Sequence, residues 1–120
     1  MTTRDVIAKA MSENDLLSYV VDLARLLGWR VAHFRPARTA KGWRTAMTGD
    51  PGFPDLVLVE PSDRFLADTI WVELKAERGM LTADQKLWRD ALQKSGQHWY
   101  LWRPSDWMSG EVERILKGEA

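Results

Sequence analysis

Gly52-Phe53-Pro54-Asp55-Leu56-Val57-Leu58-Val59 and, beyond a polar stretch, Ile70-Trp71-Val72-Glu73-Leu74-Lys75 decide how this chain folds. Asp55 to Val59 (Asp-Leu-Val-Leu-Val) reads as a buried-type strand, and Ile70 to Lys75 as a second strand. The connection from Glu60 to Asp68 is polar and opens with Pro61, so the two strands read as an antiparallel pair. A period of two places Trp71, Glu73 and Lys75 on one face of the second strand and Val72 and Leu74 on the other. Glu73 and Lys75 therefore point together. Asp55 stands where an irregular segment enters a buried strand, a place where a desolvated acid needs a partner.

Upstream, residues 12 to 27 read as a helix. Leu16, Leu17, Val20, Val21, Leu23, Ala24 and Leu27 recur at helical spacing, and Gly28 stops the run. Ser12 is the expected N-cap, with Asp15 in capping-box position and Met11 and Leu16 forming a hydrophobic staple. Glu13, at the first helical position, is expected near the inward-facing stripe. Trp29 to Phe34 follows as a strand, and Arg35 to Phe53, with Pro36, Gly42, Gly49, Pro51 and Gly52, as a loop. Its length exceeds the usual connection and points to a functional segment. Downstream, Arg78-Gly79 breaks the chain. Thr82 to Ser95 then forms a helix with Leu87, Trp88, Ala91 and Leu92 inward, ended by Gly96. Gln97 to Trp102 alternates as a strand that, after a crossover helix, runs parallel to the Ile70 strand. Pro104 ends it, and Gly110 to Leu116 forms a short final helix. The order is helix, three strands, helix, strand (αβββαβ): an α/β chain with a mixed four-stranded sheet flanked by helices.

With 120 residues the chain is read as one domain, 1–120, large enough for a hydrophobic core but not for a separate recognition module. The 17 basic and 17 acidic residues cancel, so no uniform positive field advertises nucleic acid. The absence of cysteine excludes disulfides, thiolate catalysis and cysteine-ligated zinc, and fits a reducing cytoplasm. His33 and His98 form no metal-ligand spacing, and His33 is read as a packed histidine. No apolar run approaches a membrane span, and the N-terminus, interrupted by Arg4, Asp5 and Lys9, has no signal-peptide core. Most of the seven tryptophans are expected in packing roles.

Two carboxylates and an ammonium at the ends of neighbouring strands are the groups a magnesium-dependent phosphodiesterase needs. Taken singly each is common: a Glu-x-Lys triplet suits any solvent-facing strand, and Asp55 alone would cap its loop. The rival triplet Asp84-x-Lys86 falls in the first turn of a helix, where a period of 3.6 separates the two side chains.

The constellation resembles the PD-(D/E)xK nuclease superfamily and, more closely, its VRR-NUC family of virus-type replication and repair nucleases. The resemblance rests on Ser12-Glu13 and Leu23-Ala24-Arg25-Leu26-Leu27-Gly28-Trp29 at the two ends of the first helix, Gly52-Phe53-Pro54-Asp55-Leu56-Val57, Glu73-Leu74-Lys75, and Gln85 followed by Trp88. It extends to Trp102-Arg103-Pro104-Ser105-Asp106-Trp107 and so covers nearly the whole chain. It implies a restriction-endonuclease-like core. It also implies that Asp55, Glu73 and the main-chain carbonyl of Leu74 hold Mg2+ or Mn2+, that Lys75 orients or helps deprotonate the attacking water, and that Glu13 adds a carboxylate. Gln85 would complete the catalytic set, although Thr82-Ala83-Asp84-Gln85 is also a capping box that explains the glutamine without function. Stand-alone members resemble phage enzymes acting on branched DNA such as four-way junctions, which implies a homodimer in the cytoplasm of a bacterial or phage-infected cell.

Arg35, Arg38, Lys41 and Arg44 recur in the long loop with no acid before Asp50, a local positive patch suited to DNA phosphates. Trp43, inside it, is read as anchoring the loop to the core. Two readings compete with a nuclease: a nuclease-like fold retained only to bind nucleic acid, and an interaction protein whose tryptophans form a partner surface.

Overall fold

The computed structural model describes residues 1–34, 37–39, 42–44, 48–60 and 68–119, with the main chain alone for 37–39 and 42–44. Four strands form the central sheet: β1 (Arg30–His33), β4 (Leu56–Val59), β5 (Thr69–Leu74) and β6 (His98–Trp102), in the order β1-β4-β5-β6. β4 runs antiparallel to both β1 and β5, and β6 runs parallel to β5. Two antiparallel pairs and one parallel pair make the sheet mixed, as the sequence predicts. The parallel step needs a crossover, and α3 (Ala83–Lys94) supplies it.

Side-chain alternation divides the sheet into two unlike faces. Leu56, Leu58, Ile70, Val72 and Leu74 are all buried and share one core with Leu16, Leu17, Val20 and Ala24 of α2 (Glu13–Leu26) and with Val112 and Leu116 of α5 (Glu111–Leu116). The opposite face of β5 carries Trp71 and Glu73 and meets α3. Phe53 sits edge-on to Trp71, to Trp88 of α3 and to Phe34, with ring centroids 6.0, 4.9 and 5.1 Å apart. One face thus packs into the main hydrophobic core, which also takes in Trp29 and Trp102, while the other carries the Phe53 aromatic cluster with an acid at its margin.

The helix ends follow their caps. Ser12 accepts from the Asp15 N–H at 3.0 Å and Asp15 returns the bond to the Ser12 N–H at 3.2 Å, which starts α2 where the sequence predicts. Thr82 and Gln85 do the same for α3. Gly28 and Gly96, at φ 93° and 82°, take the left-handed conformation that ends a helix.

Four elements add to the expected order. α1 (Thr3–Ala10) is closed by its own Thr2/Asp5 capping box and packs on α4 (Pro104–Met108), which starts on Pro104. Neither helix announces itself by an apolar stripe, since α1 buries only Ala8. The segment read as a loop contains an antiparallel hairpin, β2 (Ala37–Thr39) with β3 (Gly42–Arg44), in the register Ala37 to Arg44 and Arg38 to Trp43. Its strands are short and set among Pro and Gly, which hides them from a periodicity reading. No helix among the described residues is long and apolar enough to cross a membrane.

Candidate active site

Register brings the two acids together. Leu56 pairs with Val72, so Asp55, one residue earlier, falls opposite Glu73 on the same side of the antiparallel pair. An Asp55 carboxylate oxygen accepts the Leu74 main-chain N–H at 2.8 Å, which fixes the aspartate across the strand ends. Glu73, 2% exposed, is held from the other side: its Oε1 accepts the Gln85 side-chain N–H at 2.7 Å. Its Oε2 is sealed from solvent and receives no hydrogen bond.

Such a carboxylate is uncomfortable as an anion. Burial, and then the negative charge of Asp55, push the Glu73 carboxyl up to about 9, while Lys75 pulls in the opposite direction. Burial also raises Asp55, against the bonds from Leu74 and Glu73 that favour its charged form. The pair therefore shares a proton near neutral pH, with the proton on Glu73.

Gln85 closes the helix cap and also bonds Glu73. Its Oε1 accepts from the Thr82 main-chain N–H at 2.9 Å, and this bond turns the Nε2 end towards Glu73. An amide has distinct donor and acceptor ends, so one side chain can close a helix and hold a carboxylate.

Glu13 differs from expectation. It is exposed, because the apolar stripe of α2 begins at Leu16 and does not reach back to the first helical position. Its charge nevertheless acts on both Asp55 and Glu73. Among the described residues no group of three acids or histidines is gathered closely enough to hold a metal ion. His33, at the end of β1, is exposed rather than packed. Arg35 and Lys41 lie outside the described residues. Arg38 and Arg44 fall on the hairpin strands, where only the main chain is described, and Trp43 likewise. The described tryptophans are all buried or half-buried, as expected of packing roles.

Two supports were missed in the sequence. Lys75 abuts Gly79, where a Cβ would stand 3.3 Å from the lysine Cβ, and the Gly79 carbonyl accepts from the Arg103 guanidinium at 2.7 Å. The Glu77 carboxylate accepts the Ser105 N–H at 3.0 Å, fastening the same turn to the start of α4. The second support is Gly52, packed on the first turn of α3. Arg78-Gly79 and Gly52 read only as breakers because their partners are distant in sequence.

The donor set suits a hard divalent cation. Magnesium takes oxygen ligands, keeps several waters and uses one or two carboxylates. Glu73 Oε2, buried without a donor beside Asp55, is the kind of atom such an ion would satisfy.

A mixed sheet with helices on both faces, acids opposed at the ends of two antiparallel strands and a lysine two residues beyond the second acid are compatible with a restriction-endonuclease-like core. The VRR-NUC domain pattern matches residues 2–103, and the chain belongs to that family, a nuclease-family domain. None of the curated proteins matches the chain significantly.

Proposed function

We propose that this chain is a divalent-metal-dependent DNA endonuclease. The observation that carries the proposal is the register that sets Asp55 opposite Glu73, with one Glu73 oxygen buried without a partner and Lys75 two residues further on. A non-catalytic binder has little reason to crowd two carboxylates where phosphate must approach.

Asp55, Glu73 and the Leu74 carbonyl would hold Mg2+ or Mn2+, with Glu13 acting from the rim. When bound, the cation acidifies water and offsets the charge that builds on the phosphate. Lys75 would set its ammonium beside the attacking water, orienting it and favouring its deprotonation by stabilising the resulting hydroxide, the proton passing to solvent. Gln85 keeps Glu73 from rotating away. The water oxygen would bond to phosphorus in line as the P–O bond to the leaving strand breaks, and the departing oxygen would take a proton from solvent.

Arg35, Arg38, Lys41 and Arg44 supply phosphate contacts, which position the duplex without reading its sequence. With that mode of binding, selection comes from DNA shape, and branched DNA of the four-way-junction kind is the proposed substrate. Paired cuts across such a junction need two sites related by two-fold symmetry, hence a homodimer, working in the cytoplasm of a bacterial or phage-infected cell. Labelled linear duplex, flap and four-way-junction DNA incubated with Mn2+ or with EDTA tests the proposal. Cleavage with Mn2+, strongest on the junction and abolished by EDTA, is expected. DNA binding without product under any divalent ion supports the non-catalytic reading instead.

A further inference from the structure

Glu73 is oriented by Gln85, and Gln85 rides on α3, so the donor is only as well placed as the helix. What seats the helix is the segment that leads into Asp55. A Cβ at Gly52 would stand 2.6 Å from the Asp84 main-chain carbon, 2.7 Å from the Gln85 main-chain nitrogen and 2.8 Å from the Asp84 Cβ. The glycine therefore lies flush against the peptide that joins Asp84 to Gln85, a distance no other residue tolerates. Its φ of 88° independently calls for glycine. On either side of it, the Trp88 indole N–H donates to the Asp50 carbonyl at 3.3 Å and Phe53 packs edge-on to the same indole at 4.9 Å.

We infer that Gly52 is a positioning residue: by its contact with the Asp84–Gln85 peptide it sets the distance of Gln85 from Glu73, and so couples the entry to Asp55 with the orientation of the second acid. Asp55 and Glu73 are then joined twice, directly across β4 and β5 and around the outside through Gly52, the first turn of α3 and Gln85. A Cβ at position 52 pushes the peptide away and withdraws the amide from Glu73. The consequence for metal and DNA rests on the proposed nuclease function, whereas the geometry of the amide does not.

Gly49 provides an internal control. It belongs to the same segment, has φ 111°, and a Cβ there would meet nothing within 4 Å. Gly49→Ala therefore carries the backbone strain without the collision. The test begins with nitrogen-proton correlation spectra of the metal-free protein. The Gln85 side-chain amide proton bonded to Glu73 is expected at a low-field, slowly exchanging position in wild type and in Gly49→Ala, and to collapse to a free-amide position in Gly52→Ala. Mn2+ titration follows. Gly52→Ala and Gln85→Ala each weaken binding by about tenfold, the usual range for groups that orient a ligand, and the double variant is no weaker than the worse single one. A bonded amide signal in Gly52→Ala, or losses that multiply in the double variant, overturns the inference. Trp88→Phe keeps the ring but removes the bond to Asp50, and carries the same amide and Mn2+ readouts if Gly52→Ala does not fold. Loss or weakening of the bonded signal supports the inference there, and an unchanged signal opposes it. If wild type shows the bonded amide but neither binds Mn2+ nor cuts DNA, the nuclease proposal fails while the positioning role of Gly52 stands.

Discussion

Glu73 concentrates the chemistry of the site in a single proton. Between its ordinary value of 4.5 and the folded value of about 9, the folded chain holds a proton that the unfolded chain has released. With more protons bound in the native state, stability falls as pH rises through that window. The metal-free protein is therefore expected to lose thermal stability progressively from about pH 4.5 to about pH 9, and the loss to shrink with added Mn2+, because the cation takes the place of the proton. Glu73→Gln, a neutral mimic of the protonated acid, should flatten the profile and abolish the Mn2+ effect. Melting curves across pH, with and without Mn2+, check both. None of this was legible in the sequence. The strand period placed Glu73 beside Lys75, but the burial of Oε2 and the place of Asp55 opposite Glu73 depend on the β4–β5 register and on α3.

The caps link secondary structure to the site unequally. Ser12 and Thr82 close the same reciprocal bonds with Asp15 and Gln85, and either cap replaced by alanine should cost about 1 kcal/mol of folding stability. Only Thr82→Ala is expected to weaken Mn2+ binding as well, since only its partner reaches an acid. Chemical denaturation paired with calorimetry separates the two effects. The long elements were readable because their signals are local: α2 from its stripe and cap, β4 and β5 from apolar runs, α3 from its capping box and Gly96. α1, α4 and the β2–β3 hairpin were not. α1 buries only Ala8 and is held by packing on α4, and hairpin strands set between Pro36 and Gly49 resemble loop composition. Glu13 was readable as part of the site but not as exposed, because where a helical stripe ends depends on what lies beneath the first turn.

Seen as a whole, the molecule separates stability from chemistry by face. The side of the sheet that meets α2 and α5, with Leu56, Leu58, Val72, Leu16 and Val20 fully enclosed, carries the core, and Leu58→Ala should cost about 2 to 5 kcal/mol by denaturant titration. The opposite side holds the acids. A chain whose 17 basic and 17 acidic residues cancel cannot attract DNA by net charge, so affinity must come from a local patch. Replacing Arg38 or Arg44 by alanine is expected to lower the slope of log affinity against log salt by about one per residue, evenly across DNA sequences. Salt titrations of binding to two unrelated duplexes decide this; an unchanged slope removes the hairpin from the interface.

The central claim is that Asp55 and Glu73 hold a metal ion which Lys75 helps turn on DNA. Mn2+ affinity and single-turnover cleavage, measured together on wild type, Asp55→Asn and Lys75→Ala, test it most directly. Asp55→Asn is predicted to lose both, and Lys75→Ala to keep Mn2+ affinity within about threefold while cleavage falls by about a hundredfold or more, the scale of a lost general acid–base or electrostatic contribution. Cleavage that persists in Lys75→Ala, or that proceeds unchanged in EDTA, contradicts the account.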